Sequence, residues 1–142
     1  MTDTREVVVK GDGVGLLQGI TCGPNRWAAD EPVSNGGTDG APGPHELLLS
    51  ALGACTSITL TLYAKRKAWP LAGVSVRLRH EGVDGPSGMA TRIDREIALA
   101  GSLSDEQRQR LLAIAERCPV HRTLTGTIAI ESRLAPPDPA TV

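Results

Sequence analysis

The longest uncharged segment of the chain predicts a central helix. Residues 47–64 contain no charged side chain, although charges are frequent on both sides of them. Pro44 suits the first turn of a helix, and the cations of residues 65–67 suit the last turn, at the negative end of the helix dipole. Part of the segment, TSITLTLY, also alternates polar and apolar residues as a strand does, but the length of the segment favours a helix.

The apolar residues of this helix are distributed over nearly all of its faces, so the helix needs cover on nearly all sides. Its serine and threonine residues make it only moderately apolar, which favours a buried helix over a membrane span. A chain of 142 residues has little other material to cover it. We therefore expect a homodimer with this helix near the interface, and no membrane partner.

Three short segments ahead of the helix predict a small antiparallel sheet. Residues 5–10 read REVVVK, a glycine-rich turn follows, and residues 15–22 and 25–29 supply two further strands. Residues 30–44 are dense in Gly, Pro, Asn and Asp, which predicts a loop that leads into the helix.

Two longer alternating segments follow the helix. Residues 74–82 and 91–101 alternate apolar and polar positions, which predicts two strands with one wet face each, joined by a loop over 82–90. Ser104 and Gln107 then form a capping-box pattern, which is typical of the start of a second helix.

The last part of the chain predicts a helix and one more strand. Apolar positions from Leu111 to Cys118 recur at helical spacing, and Pro119 ends or kinks that helix. Residues 126–134 predict a final strand. Together the elements predict a single domain over 1–134 that contains both helices and strands, with a flexible C-terminal tail over 135–142.

Composition narrows the possible functions. The formal net charge of −1 gives no basic footprint for nucleic acid, so we expect no such partner. The first residues, MTDTREVVVK, lack the pattern of a secretory signal, which predicts a cytoplasmic protein. Three cysteines, an odd number, are not typical of a structural disulfide framework in that compartment. Their interest is therefore redox or catalytic.

Cys55 and Cys118 both fall in segments that predict helices. Cys55 shares an apolar stripe with its helical neighbours, so the residue pattern leaves open whether it is a packed core residue or a nucleophile. Cys118 is followed by His121 and Arg122, where positive charge would favour a thiolate, although packing is again the alternative. Two cysteines on packed helices would be able to cycle between dithiol and disulfide.

Other uses of the same side chains have less support in the sequence. The cysteines and histidines show no CxxC or HxxxH spacing, so we expect no metal site. Cys55 with His45 or His121 could act as nucleophile and base in acyl transfer, but no oxyanion-hole motif accompanies them. Cys22 ends a predicted strand and is assigned no role.

Two long segments carry a family resemblance. GPHELLLSALGACTSITLTLYAKRKAWPLAGVSV, followed by RIDREIALAGSLSDEQRQRLLAIAERCPVHRTL, resembles the OsmC/Ohr superfamily of osmotically induced and organic-hydroperoxide-resistance proteins. The resemblance extends from about Trp27 through Leu134. It implies an OsmC-like α+β fold, with antiparallel sheets wrapped around two long central helices in an intertwined homodimer.

The resemblance also implies a chemistry. The protein would be a thiol-dependent peroxidase that reduces organic hydroperoxides, and hydrogen peroxide more slowly, without a bound cofactor. Cys55 matches the peroxidatic position and Cys118 the resolving one, so oxidation would pass through a sulfenic acid and a disulfide. An external dithiol, such as a lipoyl group, would then reduce that disulfide.

The family's activating pair, an arginine held by a glutamate, carries over less directly. The glutamate usually follows the proline at the start of the helix; here His45 follows Pro44, and Glu46 comes one step later. The early region that usually supplies the arginine has none, which leaves Arg26 as the nearest candidate. Glu46 also suits the first-turn dipole, and Arg26 suits a solvated strand.

The helix around Cys55 would line a substrate pocket for an alkyl or lipid tail. The predicted lining residues are His45, Leu48, Leu52 and Leu62. The competing hypothesis is a binding protein on the same scaffold, whose cysteines only pack and whose pocket holds a small apolar ligand.

Overall fold

A computed structural model describes residues 5–85 and 88–137. The chain divides into two compact units, of which the first contains residues up to 48 together with those from 131, and the second contains residues 49–130. The prediction of a single domain over 1–134 stays a prediction, as does the flexible tail. The last five residues of that tail lie outside the described part of the chain.

The described elements confirm the predicted α+β class, with antiparallel sheets and helices. In chain order they are β1 (Val8–Lys10), β2 (Gln18–Cys22), β3 (Asn25–Ala29), α1 (Pro44–Lys67), β4 (Gly73–Gly85), β5 (Gly88–Ala100), α2 (Asp105–Ala115) and α3 (Pro119–Thr125), with one 3-10 turn at Val33–Asn35.

The first unit contains the predicted three-stranded antiparallel sheet, in the order β1–β2–β3. Val9 pairs with Ile20, and Ile20 pairs in turn with Trp27. Gly23 in the tight turn between β2 and β3 has a φ of 56°, a left-handed conformation that glycine adopts without steric cost. Ile20, at the centre of the sheet, and Ala29, at the end of β3, are buried.

Asp30 organises the predicted loop that follows β3. Its buried carboxylate accepts hydrogen bonds from Thr38 Oγ1 at 2.7 Å, Glu31 N at 2.8 Å and Gly40 N at 2.9 Å. These donors favour the charged form, and the Thr38 hydroxyl in particular lowers the pKa of Asp30 to about 2. A side chain at Gly37 would collide with the Glu31 carbonyl, which explains the glycine at this point of the loop.

The second unit builds its core between α1, α2 and the β4–β5 hairpin. Leu60, Leu111, Ile114 and Ala115 are buried together. The partly buried residues packed against them are Tyr63, Trp69, Leu71, Val74, Ile97, Leu99 and Leu103. α1 approaches β4 closely, since a Cβ at Gly53 would lie 2.8 Å from Leu78 Cδ1.

The β4–β5 hairpin is longer than predicted. The loop predicted over 82–90 is too long, because the antiparallel pairing of β4 with β5 continues to Gly85 opposite Gly88. Backbone hydrogen bonds sustain such a ladder whatever the side chains prefer. The rest of that predicted loop, residues 86 and 87, lies outside the described residues.

The second helix also ends earlier than its spacing indicates. α2 stops at Ala115, and Cys118 has the extended angles φ −63° and ψ 140° because a residue before proline avoids the helical region. Pro119 then starts a separate helix, α3, at the position where its missing N–H costs nothing. The capping box of Ser104 and Gln107 is present as predicted.

The predicted final strand is absent from the described chain. Residues 127–137 belong to no strand, and Ile128, Ile130 and Leu134 are exposed. The alternating pattern is present in the sequence, but a strand also needs a neighbour to satisfy its backbone and cover its apolar side.

By length and composition α1 could cross a membrane, and it is the one helix of the described residues that meets this test. The core helix of a soluble protein meets the same test, so the observation is weak. The stripe of Leu52, Thr56, Leu60 and Ala64 is buried within the protein. Ile58 and Leu62 are 59% and 55% exposed on another face of the helix.

Candidate thiol site

Cys118 occupies the N-cap of α3 and is completely buried. Its Sγ accepts a hydrogen bond from the backbone N–H of His121 at 3.3 Å. Thr56 Oγ1 lies 4.0 Å from the same sulfur, on the buried stripe of α1. The sulfur therefore accepts one backbone N–H, which suits a negative charge, and lies beside a hydroxyl oxygen whose own proton is donated to Leu52 O at 2.7 Å.

Cys55 is the residue next to Thr56 on α1 and is half-buried. Consecutive residues of a helix point about 100° apart, so Thr56 faces Cys118 while Cys55 lies at the edge of the buried stripe. Both thiols belong to the second unit, and both are free, as is Cys22. The structure thus brings the two predicted cysteine segments together through Thr56.

Arg95 on β5 connects this pair of segments to two further side chains. Its Nη1 donates to Thr56 Oγ1 at 3.0 Å, and its Nη2 lies 3.1 Å from His121 Nδ1. Glu116 Oε2 lies 4.0 Å from Arg95 Nη2 and 2.9 Å from His121 Nε2. We call Thr56, Arg95, Glu116 and His121 the Arg95 network.

The direction of the hydrogen bonds in the Arg95 network follows from the guanidinium. Arginine has only donors, so His121 Nδ1 must accept from Arg95. The ring proton then lies on Nε2, where it is donated to the Glu116 carboxylate. The side chain of Arg95 is only 10% exposed, whereas that of Glu116 is 60% exposed. A positive charge is therefore held inside the unit, one hydroxyl away from Cys118.

The sequence contains a signal for Arg95 in the alternation of β5. On β5 the partly buried positions are Ile93, Arg95, Ile97 and Leu99, with exposed residues between them. Arg95 therefore stands on the apolar side of an amphipathic strand. A charge at such a position requires partners, since burying it unpaired is costly.

A cleft of about 380 Å³ opens beside the Arg95 network. Three of the four network residues contribute to its walls, and the remaining wall is mostly apolar. The lining residues are Leu52, Thr91, Ile93, Arg95, Leu112, Glu116, His121, Leu124 and Thr125. Its size and mixed lining suit a small amphipathic molecule.

The other predicted site residues lie in different places. Of the predicted pocket residues, Leu52 lines this cleft and Leu62 does not, while His45 and Leu48 belong to the first unit. Arg26 is exposed on β3 and pairs with Thr21. These assignments stay predictions.

Glu46 lies in the first turn of α1, where its Oε1 accepts from Gly43 N at 3.4 Å. A carboxylate in the first turn suits the helix dipole, which is the alternative interpretation of Glu46. Among residues 5–85 and 88–137, no three metal-ligating side chains come together.

A protein-family model for the OsmC-like proteins matches residues 37–133. The chain belongs to this family. The match spans both cysteines and the whole Arg95 network, so the resemblance seen in the two cysteine segments is confirmed.

Solved structures agree on the fold. An OsmC-like protein from Mycoplasma pneumoniae has a TM-score of 0.76 at 20% identity, with 89% of this chain and 90% of that chain covered. An organic hydroperoxide resistance protein, OsmC, from Legionella pneumophila has a TM-score of 0.70 at 21% identity, with 89% and 92% covered. The organic hydroperoxide resistance protein OhrB of Bacillus subtilis has a TM-score of 0.65 at 21% identity, with 87% and 92% covered. No match was found among curated proteins.

Proposed function

We propose that this OsmC-like protein is a thiol-dependent peroxidase that reduces organic hydroperoxides with Cys55 and Cys118. Family membership and structural relatives named for organic hydroperoxide resistance support a role in peroxide resistance. The observation that carries the mechanism is the position of Cys118. Its buried sulfur lies 4.0 Å from the hydroxyl of Thr56, the residue next to Cys55.

The exposure of the two thiols supports Cys55 as the residue of the first step. Cys55 is half-buried and can meet a peroxide, whereas Cys118 is completely buried. The Cys55 thiolate attacks the distal oxygen of the hydroperoxide, and the O–O bond breaks as the S–O bond forms. The alkoxide takes a proton and leaves as the alcohol, so the peroxide is reduced and Cys55 becomes a sulfenic acid.

The second step belongs to Cys118. Its thiolate attacks the sulfur of the Cys55 sulfenic acid, forming the S–S bond, while hydroxide leaves and takes up the proton lost by Cys118 to give water. An external dithiol, with the chemistry of a lipoyl group, then reduces the disulfide to two thiols. The backbone N–H of His121 is placed to stabilise the attacking thiolate, and Thr56, whose hydroxyl proton is donated to Leu52 O, accepts from the Arg95 guanidinium that supplies the positive charge nearby.

Arg95 supplies the positive charge of this mechanism. It contacts Thr56 directly and is held by His121 and Glu116, all within the second unit. An arginine paired with a glutamate is the arrangement that the resemblance implies, with Arg26 and Glu46 as its predicted members. The contacts of the second unit favour Arg95 and Glu116 for the step at Cys118.

The proposal includes an oligomeric state and a cellular location. Ile58 and Leu62 leave an apolar face of α1 exposed, which supports a homodimer in which a second copy covers this face. The cytoplasmic location predicted from the sequence fits the need for a dithiol reductant and for thiols that start reduced.

The apolar wall of the cleft beside the Arg95 network favours a second candidate, a protein that binds a small apolar ligand without turnover. Leu52, Ile93, Leu112 and Leu124 supply the apolar wall of the 380 Å³ cleft. In that case Cys55 and Cys118 would only pack, and their substitution by serine would leave ligand binding largely unchanged.

Turnover of tert-butyl hydroperoxide, with dihydrolipoamide as reductant, separates the two candidates. We expect Cys55→Ser to abolish consumption, and Cys118→Ser to impair it or to make it depend on the reductant used. Cys22→Ser is the matched control, since Cys22 lies on β2 of the first unit, and it should keep the parent rate. A folded, fully reduced parent that consumes no hydroperoxide would exclude the peroxidase and leave the binding protein.

A further inference from the structure

A second cleft of the 49–130 unit lies between the C-terminal half of α1 and α2. Its volume is about 580 Å³, and four of its seven lining residues are cations. The lining residues are Thr59, Tyr63, Arg66, Lys67, Arg110, Ile114 and Arg117. An adjoining cleft of about 340 Å³ shares Tyr63, Lys67 and Arg110 and adds Trp69, Glu106 and Gln107. We call the four cations Arg66, Lys67, Arg110 and Arg117 the basic cluster.

Tyr63 lines the cleft, and its pKa responds to the positive charges around it. Arg110 Nε donates to Tyr63 Oη at 3.0 Å, and Arg110 Cζ lies 5.8 Å from the centre of the ring. Lys67 Nζ lies 5.7 Å from the same centre. The hydrogen bond from Arg110, followed by the charges of Arg110, Lys67 and Arg117, lowers the pKa of Tyr63 from its ordinary value of 10.0.

Among the described residues, the basic cluster has none of the carboxylate contacts that pair other cations of the unit. Arg92 lies within 4.0 Å of Glu81 and Asp94, and Arg95 within 4.0 Å of Glu116. In the described part of the chain, no salt bridge of this length involves the basic cluster. The chain as a whole has a net charge of −1, so this concentration of positive charge is local.

Four like charges around one concavity repel one another, and an anion in the cleft would relieve that repulsion. An arginine guanidinium can donate two parallel hydrogen bonds to two oxygens of a phosphate group, and a lysine ammonium adds a positive charge. The volume suits a small molecule, and Tyr63 with Trp69 offers an aromatic wall beside the cations.

We propose that the cleft around Tyr63 binds a phosphate-bearing small molecule through the basic cluster. The site is distinct from the cleft beside the Arg95 network, and its existence does not depend on the peroxidase. It is nevertheless adjacent to both thiol segments. Thr59 lies one helical turn after Cys55, and Arg117 immediately precedes Cys118.

Inorganic pyrophosphate is the probe, and calorimetry at neutral pH with the full chain is the first measurement. We expect binding to the parent, and about tenfold or more weaker binding to the double variant Arg66→Gln, Arg117→Gln, which loses two charges but keeps the Arg110–Tyr63 hydrogen bond. Arg92→Gln is the matched control, because Arg92 is exposed on β5, outside the cleft, and should bind as the parent does.

The chain has one tyrosine, so the titration of tyrosinate absorbance locates the bound anion. Pyrophosphate should raise the pKa of Tyr63 back towards its ordinary value, compared with sodium chloride at equal ionic strength. Sulfate at the same concentration should raise the pKa of Tyr63 less than pyrophosphate does. An equal shift would overturn the preference for phosphate groups. An unchanged Tyr63 titration would overturn the proposal, whether pyrophosphate fails to bind or binds elsewhere.

Discussion

Arg95 shows how one residue's partners can define a site. It is a nearly buried cation whose two terminal nitrogens reach a hydroxyl and an imidazole, with a carboxylate 4.0 Å away. Each partner is itself fixed by another contact: Thr56 Oγ1 donates to Leu52 O at 2.7 Å, and His121 contacts Glu116. The charge therefore keeps its position next to the sulfur of Cys118, where a thiolate would form.

Replacing Arg95 should slow the resolving step. In Arg95→Met the positive charge behind Thr56 is lost, and we expect disulfide formation after one equivalent of hydroperoxide to slow about tenfold, equivalent to about 1.4 kcal/mol of lost stabilisation. The sulfenic acid of Cys55 should accumulate correspondingly, as measured by trapping with dimedone and mass spectrometry. Arg95→Lys keeps the charge but not the fork, and should fall between the parent and Arg95→Met.

Arg92→Met is the control for that experiment. Arg92 lies on the same strand and contacts two carboxylates, but its side chain is 67% exposed. Surface pairs of this kind contribute little, so disulfide formation should proceed at the parent rate. If Arg95→Met also formed the disulfide at that rate while remaining folded, the role assigned to Arg95 would be wrong.

At the scale of elements, proline and aspartate decide where the chain turns. Pro119 separates α2 from α3 and leaves Cys118 extended at the N-cap, so its sulfur accepts the N–H of His121. Asp30 closes the loop after β3 by accepting from Thr38, Glu31 and Gly40. In both cases one side chain satisfies backbone groups that no regular element would satisfy.

Asp30 should make the stability of the protein depend on pH in the acid range. Its pKa of about 2 in the folded chain lies below the ordinary value of 3.8, so its stabilisation is complete above about pH 5, where the carboxylate is ionised in both the folded and the unfolded chain. Below that pH the unfolded chain binds the proton first, and the stabilisation is lost as the pH falls towards 2. The difference in unfolding free energy between the parent and Asp30→Asn, measured with denaturant, should therefore shrink as the pH falls below about 5.

Asp39→Asn provides the matched control. Asp39 is exposed in the same loop with a φ of 54°, a left-handed conformation that asparagine also adopts, so this change removes the same charge without removing the buried contacts. The difference in unfolding free energy between the parent and Asp39→Asn should be small and should vary little with pH. A parent-to-Asp30→Asn difference that stayed constant down to pH 3 would contradict the assignment.

Several elements could be predicted because their signals are local. The capping box of Ser104, the glycine turns and the length of α1 depend on nearby residues alone. The prediction of a strand over 126–134 was wrong for the opposite reason. Alternation of apolar and polar residues gives a segment one apolar side, but a strand also needs a neighbouring strand to pair with. Cys55 and Cys118 were predicted as the redox pair, whereas Arg95 was missed because its partners are distant in sequence.

At the scale of the whole molecule, the apolar face of α1 is the surface that the proposed homodimer would cover. Ile58 and Leu62 are one helical turn apart, and both are more than half exposed. Cys55 lies one turn before Ile58, so the face adjoins the half-buried thiol. A homodimer that covers this face would exclude water from the neighbourhood of Cys55, which would strengthen every charge interaction there.

Light scattering after size-exclusion chromatography tests that assembly. We expect the parent to be a dimer, and the double variant Ile58→Glu, Leu62→Glu to dissociate about a hundredfold or more readily, because each buried side chain contributes about 1.5–3 kcal/mol. Val33→Glu, on the exposed 3-10 turn, should stay dimeric. A monomeric parent at the same concentration would exclude the dimer.

The sequence by itself determined the α+β class, the long helix, the paired strands and the two cysteine segments, because periodicity, caps and turn residues act over a few positions. Only the tertiary structure decided that Thr56, rather than Cys55, faces Cys118. It also decided that Arg95 stands behind Thr56 and that four cations surround Tyr63. These contacts join residues many positions apart, so they depend on packing between elements, which no local pattern specifies.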